Sequence, residues 1–287
     1  MSETHSHSSP AASGPPASGA AGARSAAPGL GHAAITGVLR ASGCVFAEDE
    51  ADLLLAEART PDELAAMVER RARGLPLEHV LGWAEFRGLR ITVAPGVFVP
   101  RRRTEFLVGR AVALAPPRAV IVDLCCGSGA LAAALGAAVP GAELHAADVD
   151  PAAVRCARLN LPGGTVHEGD LFDPLPEGLR GRVDVLTANV PYVPTADMAL
   201  LPQEARVHEP PVALDGGSDG LHVLRRVAAR APLWLAPGGH VLIETSTRQA
   251  PSAVAAFTSG GLVAEVAAEE ELGATVVIGT RPAAAVD

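Results

Sequence analysis

The sequence predicts a doubly wound, mostly parallel α/β sheet, preceded by a small helical domain and a β-hairpin linker. Three observations predict it. From residue 119 onward, short β-branched runs alternate with helical patterns, the order that builds a parallel sheet. A glycine-rich loop, Asp123-Leu-Cys-Cys-Gly-Ser-Gly129, joins the first of these strands to its helix, and an acid, Asp148, ends the next strand. The last two strands have no helix between them, so one of them must run antiparallel.

Composition bounds the rest. A chain of 287 residues suits one substantial domain with a small partner. Hydrophobic residues make up 48% and aromatics only 3%, so the core must be built from Ala, Val and Leu. A net charge of −9 disfavours a protein that grips nucleic-acid phosphates. All 23 basic residues are Arg, and the clusters Arg70, Arg71, Arg73 and Arg101, Arg102, Arg103 read as solvated faces. The four cysteines lack C-x-x-C spacing, which argues for reduced thiols and against a zinc site or a disulfide framework. No secretory leader pattern and no apolar run of membrane-spanning length is present, so a cytoplasmic protein is expected.

Taken in order, residues 1–30 form a low-complexity Ser/Ala/Gly/Pro arm, with His5 and His7 too few to make a metal tract. Residues 31–82 read as a helical domain. Ile35, Val38 and Leu39 share one face, a second helix covers 48–58, and Thr60-Pro61-Asp62-Glu63 starts a third with Thr at the N-cap. Residues 83–104 form the linker, with a hairpin turning at Gly88 and Thr104 capping the next helix, 105–115. The sheet domain, 105–281, has strands at 119–124, 143–147, 165–168, 183–188, 240–244, 262–267 and 275–280, with helices at 130–138, 151–159, 220–235 and 248–259. A short tail, 282–287, follows.

The chemistry concentrates at three strand ends. Gly127 and Gly129 let the backbone turn tightly and approach a ligand. Asp148 is placed to reach a ribose hydroxyl pair. Gly127-x-Gly129-x-x-Ala132 also fits a relaxed dinucleotide fingerprint, so the loop alone does not choose between cofactors. Asp170 can accept from an adenine amine, with Leu171 or Phe172 over the ring. Past the strand 183–188 stands Asn189-Val190-Pro191-Tyr192, at the carboxyl edge where such sheets place ligands.

These motifs, in this order, resemble the class I S-adenosylmethionine-dependent methyltransferases, and more narrowly the HemK/PrmC-type protein-(glutamine-N5) methyltransferases. The resemblance spans about 31–281. It includes Gly74-Leu-Pro-Leu-Glu-His-Val-Leu-Gly82, Phe86-Arg-Gly88, Val99-Pro-Arg101 with Thr104-Glu105, Glu209-Pro210, Asp219-Gly-Leu221, Pro237-Gly-Gly239 and Glu244. It implies a Rossmann-like methyltransferase sheet and S-adenosylmethionine as cofactor. It also implies that Cys125, Cys126, Gly127, Ser128, Gly129, Asp148, Asp170, Leu171 and Asn189 bind that cofactor, and that Asn189, Val190, Pro191 and Tyr192 form the catalytic turn. The implied substrate is a protein glutamine, with a peptide chain release factor as the default, docked by the helical domain onto a monomeric enzyme.

A primary amide is a poor nucleophile. Two acceptors at one turn, the Asn189 side-chain oxygen and the Val190 carbonyl, can hold both of its N–H bonds while Tyr192 stacks on its plane. The family usually shows Asn-Pro-Pro-Tyr. Val190 replaces the first proline but keeps the carbonyl, and its position before Pro191 biases it to extended geometry. Arg102-Arg103 stands where the family commonly has Pro-Glu, which changes the charge expected beside the cofactor pocket. Glu209-Pro210-Pro211 reads as loop punctuation. Three other readings stay open: an N-methyltransferase of RNA or DNA bases, a binding protein that retains the fold with weak catalysis, and a nicotinamide oxidoreductase. The last lacks an evident catalytic Tyr/Lys or His pair.

Overall fold

The computed structural model describes residues 30–283. His5, His7, all but the last residue of the low-complexity arm, and most of the tail lie outside the described residues.

Helices α1 (His32–Ala41), α2 (Ala47–Glu57), α3 (Pro61–Ala72) and the short α4 (Leu77–Leu81) pack around Ile35, Leu39, Leu54, Met67 and Val68. The start of α3 follows its sequence: the Thr60 hydroxyl accepts from the Glu63 amide at 3.1 Å, and Pro61 occupies the first helical position. Strands β1 (Trp83–Phe86) and β2 (Leu89–Thr92) then form an antiparallel hairpin. Its first strand starts upstream of the expected register. Arg87 and Gly88 both have positive φ, the geometry of a tight two-residue hairpin turn.

A 3₁₀ turn at Arg102–Thr104 leads into α5 (Glu105–Leu114). Thr104 does not cap it. Its backbone is already helical, and its fully buried hydroxyl makes no hydrogen bond among the described residues.

The remainder runs β3 (Val120–Leu124), α6 (Ala130–Ala138), β4 (Glu143–Asp148), α7 (Pro151–Asn160), β5 (Thr165–Glu168), β6 (Val183–Ala188), α8 (Gln203–His208), α9 (His222–Trp234), β7 (Leu235–Glu244), α10 (Ala250–Ser259), β8 (Val263–Glu269) and β9 (Ala274–Thr280). The sheet order is β5-β4-β3-β6-β7-β9-β8, and β9 alone runs opposite to the other six strands. This is the expected mostly parallel sheet with one antiparallel strand.

Chain order reverses between β3 and β6, where Leu124 pairs with Ala188. The loop after β3 and the turn after β6 therefore emerge side by side at the topological switch point, where open α/β sheets form their ligand crevice. One face of the sheet packs on α9 and α10 through Leu186, Val227, Trp234 and Phe257. The other packs on α5, α6 and the hairpin through Phe86, Leu107, Ile121 and Leu135. Among the described residues no helix is long and apolar enough to cross a membrane.

Candidate active site

The glycine loop forms one wall of a cavity. Cys125 holds a left-handed backbone with φ +53°, unusual for a residue with a side chain. Gly127 and Gly129 also have positive φ, but for different surroundings. A Cβ on Gly129 would lie 3.1–3.2 Å from Ala157 and Leu161, so glycine there lets α7 close on the loop. A Cβ on Gly127 would meet nothing within 4 Å, because this residue faces the cavity. The loop is pinned from beneath: the Cys126 amide donates to the Ala147 carbonyl at 3.1 Å, and the Asn160 amide group to the Ser128 carbonyl at 2.8 Å.

Asp148 stands at the tip of β4. Its Oδ2 accepts from the Gly127 amide and its Oδ1 from the Asp150 amide, both at 2.9 Å. The carboxylate is thereby oriented, and each oxygen keeps a lone pair for a ligand hydroxyl. Burial pushes its pKa up, against the backbone hydrogen bonds that pull it down. Asp170 lines the same cavity but is not a free acceptor, because Arg226 on α9 donates to its Oδ2 at 2.6 Å. The sequence offers no local signal for this partner. Leu171, at φ +51°, also lines the cavity. Phe172 does not cover it: the ring is buried in the core, stacked on Trp234 at 5.5 Å. Asp123 lies below the loop, fully buried and bonded by the Thr187 hydroxyl at 2.8 Å. Burial drives its pKa up to about 7. Burial also pushes the Cys125 and Cys126 thiols up, so neither is an activated nucleophile.

Asn189 and Pro191 line the same cavity as the loop. Asn189 also lines a second cavity, with Val190, Tyr192, Phe98, Arg103, Leu201 and Glu204. The two cavities thus meet at Asn189. Val190 is 1% exposed and joins the sheet core, and among the described residues no hydrogen bond is made to its carbonyl.

The turn is held by a loop the sequence does not advertise. Val193 and Gly216 pair with Leu214 and Val193 through backbone hydrogen bonds of 3.0 and 2.8 Å. The buried Gln249 side chain donates to the Tyr192 and Asp219 carbonyls, both at 3.0 Å, and accepts from Ser246 Oγ at 2.7 Å. A Cβ on Gly220 would collide with the Tyr192 carbonyl, so only glycine allows this closeness.

Two expectations are corrected here. Glu209 is not loop punctuation: its buried carboxylate accepts from the Val99 amide at 3.1 Å and from Arg101 at 2.7 and 2.6 Å. The arginine clusters are not uniformly solvated. Arg71 is buried, bonded by Glu50 at 2.5 and 2.9 Å and by Glu204 at 2.5 Å, which ties the helical unit to α8. Arg103 donates to Glu244 at 2.9 Å and to the Tyr192 hydroxyl, beside the second cavity rather than the first. Arg70, Arg73 and Arg102 are exposed and fit the original reading, while Arg103 is exposed on one side yet paired on the other.

A family model described as "Methyltransferase small domain" matches residues 88–267. The release factor glutamine methyltransferase of Geobacter sulfurreducens is 39% identical over 228 residues, 77% of this chain and 79% of that protein. The chain belongs to the HemK/PrmC-type protein-(glutamine-N5) methyltransferase family. The 4-amino-L-phenylalanine/4-methylamino-L-phenylalanine methyltransferase of Streptomyces pristinaespiralis is 37% identical over 238 residues, 79% of this chain and 80% of that protein. Among solved structures, a methyltransferase from Pyrococcus furiosus shares the fold with a TM-score of 0.53 at 15% identity, covering 78% of this chain and all of that one.

The family's cofactor is S-adenosylmethionine, and the first cavity suits it. Gly127 leaves open space against the loop, and Asp148 has lone pairs available to a ribose. Asp170 retains one oxygen free of Arg226.

Proposed function

We propose that this family member transfers a methyl group to the side-chain amide nitrogen of a protein glutamine, with a peptide chain release factor as the substrate. In this reading Gly127, Asp148, Asp170 and Leu171 hold the cofactor, helped by Cys125, Cys126, Ser128 and Gly129. Asn189, Val190, Pro191 and Tyr192 hold the acceptor. The observation that carries the reading is the position of Asn189 at the junction of two cavities, followed by a carbonyl with no partner among the described residues.

When bound, S-adenosylmethionine supplies a methyl carbon made electrophilic by its positively charged sulfur. The chain's own residues prepare the nucleophile. Asn189 Oδ1 and the Val190 carbonyl each accept one amide N–H, which fixes the nitrogen and lets it pyramidalise with its lone pair toward the first cavity. As the N–C bond forms, with the electron pair of the broken methyl–sulfur bond staying on the now neutral sulfur, these two acceptors would stabilise the positive charge that grows on nitrogen, until one of the held protons is lost to solvent. The catalysis is positional and electrostatic, and it needs no strong base. Val190 lacks the ring that would fix φ, but the loop 214–220 and Gln249 hold the turn from outside. Residues 31–82, tied to α8 through Arg71 and Glu204, are the proposed docking surface for the protein substrate.

The test is transfer of labelled methyl from S-adenosylmethionine to a recombinant release factor, with peptide mass spectrometry to find a glutamine heavier by one methyl. Asn189→Ala should lower kcat by roughly 10²–10³-fold, the cost of losing one preorganised polar group, with cofactor affinity kept. Label on 4-amino-L-phenylalanine and none on release factor would replace this acceptor with an aromatic amine. Label on RNA, with binding that weakens steeply in salt, would replace it with a nucleobase.

A further inference from the structure

Beside the second cavity, a buried carboxylate and an arginine that the reaction above does not use are linked to Tyr192. Glu244, at the carboxyl end of β7, is 2% exposed. β7 pairs with β6 up to Ile243 and Ala188, so Glu244 and Asn189 leave the sheet as neighbours. One oxygen of Glu244 accepts from Arg103 Nε at 2.9 Å, and the other has no partner among the described residues. From this anchor Arg103 reaches over Tyr192. Its guanidinium carbon lies 5.8 Å from the ring centroid, and one of its Nη groups donates to the phenol oxygen. An anchored guanidinium fixes a ring better than a lone packing contact, because its planar fork sets direction as well as distance.

We propose that Arg103 is a positioning residue for the acceptor: braced on buried Glu244, it holds the Tyr192 ring as the wall against which the acceptor's planar group lies. The proposal rests on the acceptor reading of the Asn189 turn. Arg103 touches neither cofactor nor reacting atoms and acts through the ring. Removing it leaves Asn189 and the Val190 carbonyl in place but frees the ring to move. The loss therefore falls on acceptor binding, in the ground state and the transition state alike.

Tyr192 is the only tyrosine in the chain, and the chain has no lysine. Its phenol can therefore be titrated by tyrosinate absorbance without any acceptor. The charged groups facing it are Arg103, Arg101 and Glu244. Burial raises its pKa, while Arg103 lowers it through charge and hydrogen bond. In Arg103→Met the titration midpoint should move up by about one unit, the scale expected for loss of an adjacent opposite charge. With release factor as acceptor, KM should rise about tenfold while kcat changes less than about threefold, the pattern of lost uniform binding. The Kd for S-adenosylmethionine should be unchanged. Arg103→Lys restores a cation and should recover part of the midpoint shift but little of the KM.

An unmoved midpoint in Arg103→Met overturns the proposal, as does an unchanged KM or a loss of affinity for S-adenosylmethionine. If Arg103→Met does not fold because Glu244 is left charged and unpaired, Arg103→Met combined with Glu244→Gln removes that charge and repeats both readouts. Should wild-type protein fail to methylate release factor, the acceptor reading fails by itself. The phenol titration would still report whether Arg103 holds Tyr192.

Discussion

Gln249 offers the most direct test of how the catalytic turn is kept in shape. Gln249→Leu keeps a similar volume but removes both donors and the acceptor. Two carbonyls lose their partner, those of Tyr192 and Asp219, each bonded at 3.0 Å in the intact protein. They do not cost the same. Asp219 is exposed, so water can replace the lost bond. The Tyr192 carbonyl is closed over by Gly220 and has no room for water. One orphaned buried carbonyl costs about 1–3 kcal/mol. For a chain of this size that lowers Tm by roughly 2–6 °C.

The functional effect should exceed the stability effect, because Tyr192 and Val190 belong to the turn that holds the acceptor. A shift of that turn by an ångström can cost about 10²-fold in kcat. The assay is methyl transfer well below the melting transition, beside calorimetric titration with S-adenosylmethionine. The cofactor Kd should stay within about twofold, since Gln249 does not line the first cavity. A lowered Tm with unchanged kcat would show that the turn keeps its shape without the clamp and would refute the reasoning.

Other outcomes follow from the same geometry. Asp148→Ala removes the acceptor pinned by the Gly127 and Asp150 amides and should weaken S-adenosylmethionine binding by about 10-fold or more, the scale of a charged hydrogen bond; titration calorimetry reads it. Gly216→Ala places a Cβ 2.6 Å from the Gly220 carbonyl and 2.7 Å from that of Pro191, so kcat should fall with little change in cofactor affinity. Asp123 has its pKa raised by burial to about 7, against about 3.9 unfolded. Between these values the unfolded state binds fewer protons, so this group makes stability fall as pH rises from about 4 to about 7, by up to roughly 4 kcal/mol. Asp123→Asn keeps an acceptor for Thr187 and should flatten that fall in urea midpoints measured across pH 5–8. Equal slopes in both proteins would remove Asp123 as the cause.

The sheet and the first cavity were legible because their signals are local. Strand, glycine loop, helix and strand-tip acid occupy one unbroken stretch from Val120 to Asp148, and each step has its own residue chemistry. The carboxyl-edge position of Asn189 followed from the apolar run before it. What escaped was long-range pairing. Arg101 meets Glu209 across 108 residues, Arg71 meets Glu204 across 133, and Gln249 meets the Tyr192 carbonyl across 57. No spacing rule reaches that far, so Glu209 looked like loop punctuation and Arg71 like a solvated charge. Local cues also misled in two places. Thr104 has the residue type of a cap, but the preceding 3₁₀ turn puts it in helical geometry. Phe172 adjoins Leu171, yet the left-handed backbone at Leu171 accompanies a ring that points into the core rather than the cavity.

The pairing of Leu124 with Ala188 has an implication for how such an enzyme changes its target. Adjacent strands sit about 4.8 Å apart whatever their side chains, so the spacing between donor loop and acceptor turn is a property of the backbone ladder. The outer wall, by contrast, comes from Phe98, Arg101 and Arg103 and from the 201–214 segment, none of which belongs to the ladder. Recognition can therefore drift, residue by residue, around a transfer distance that stays constant. An engineer seeking a new acceptor has a bounded set of positions to vary and a rigid frame to leave alone.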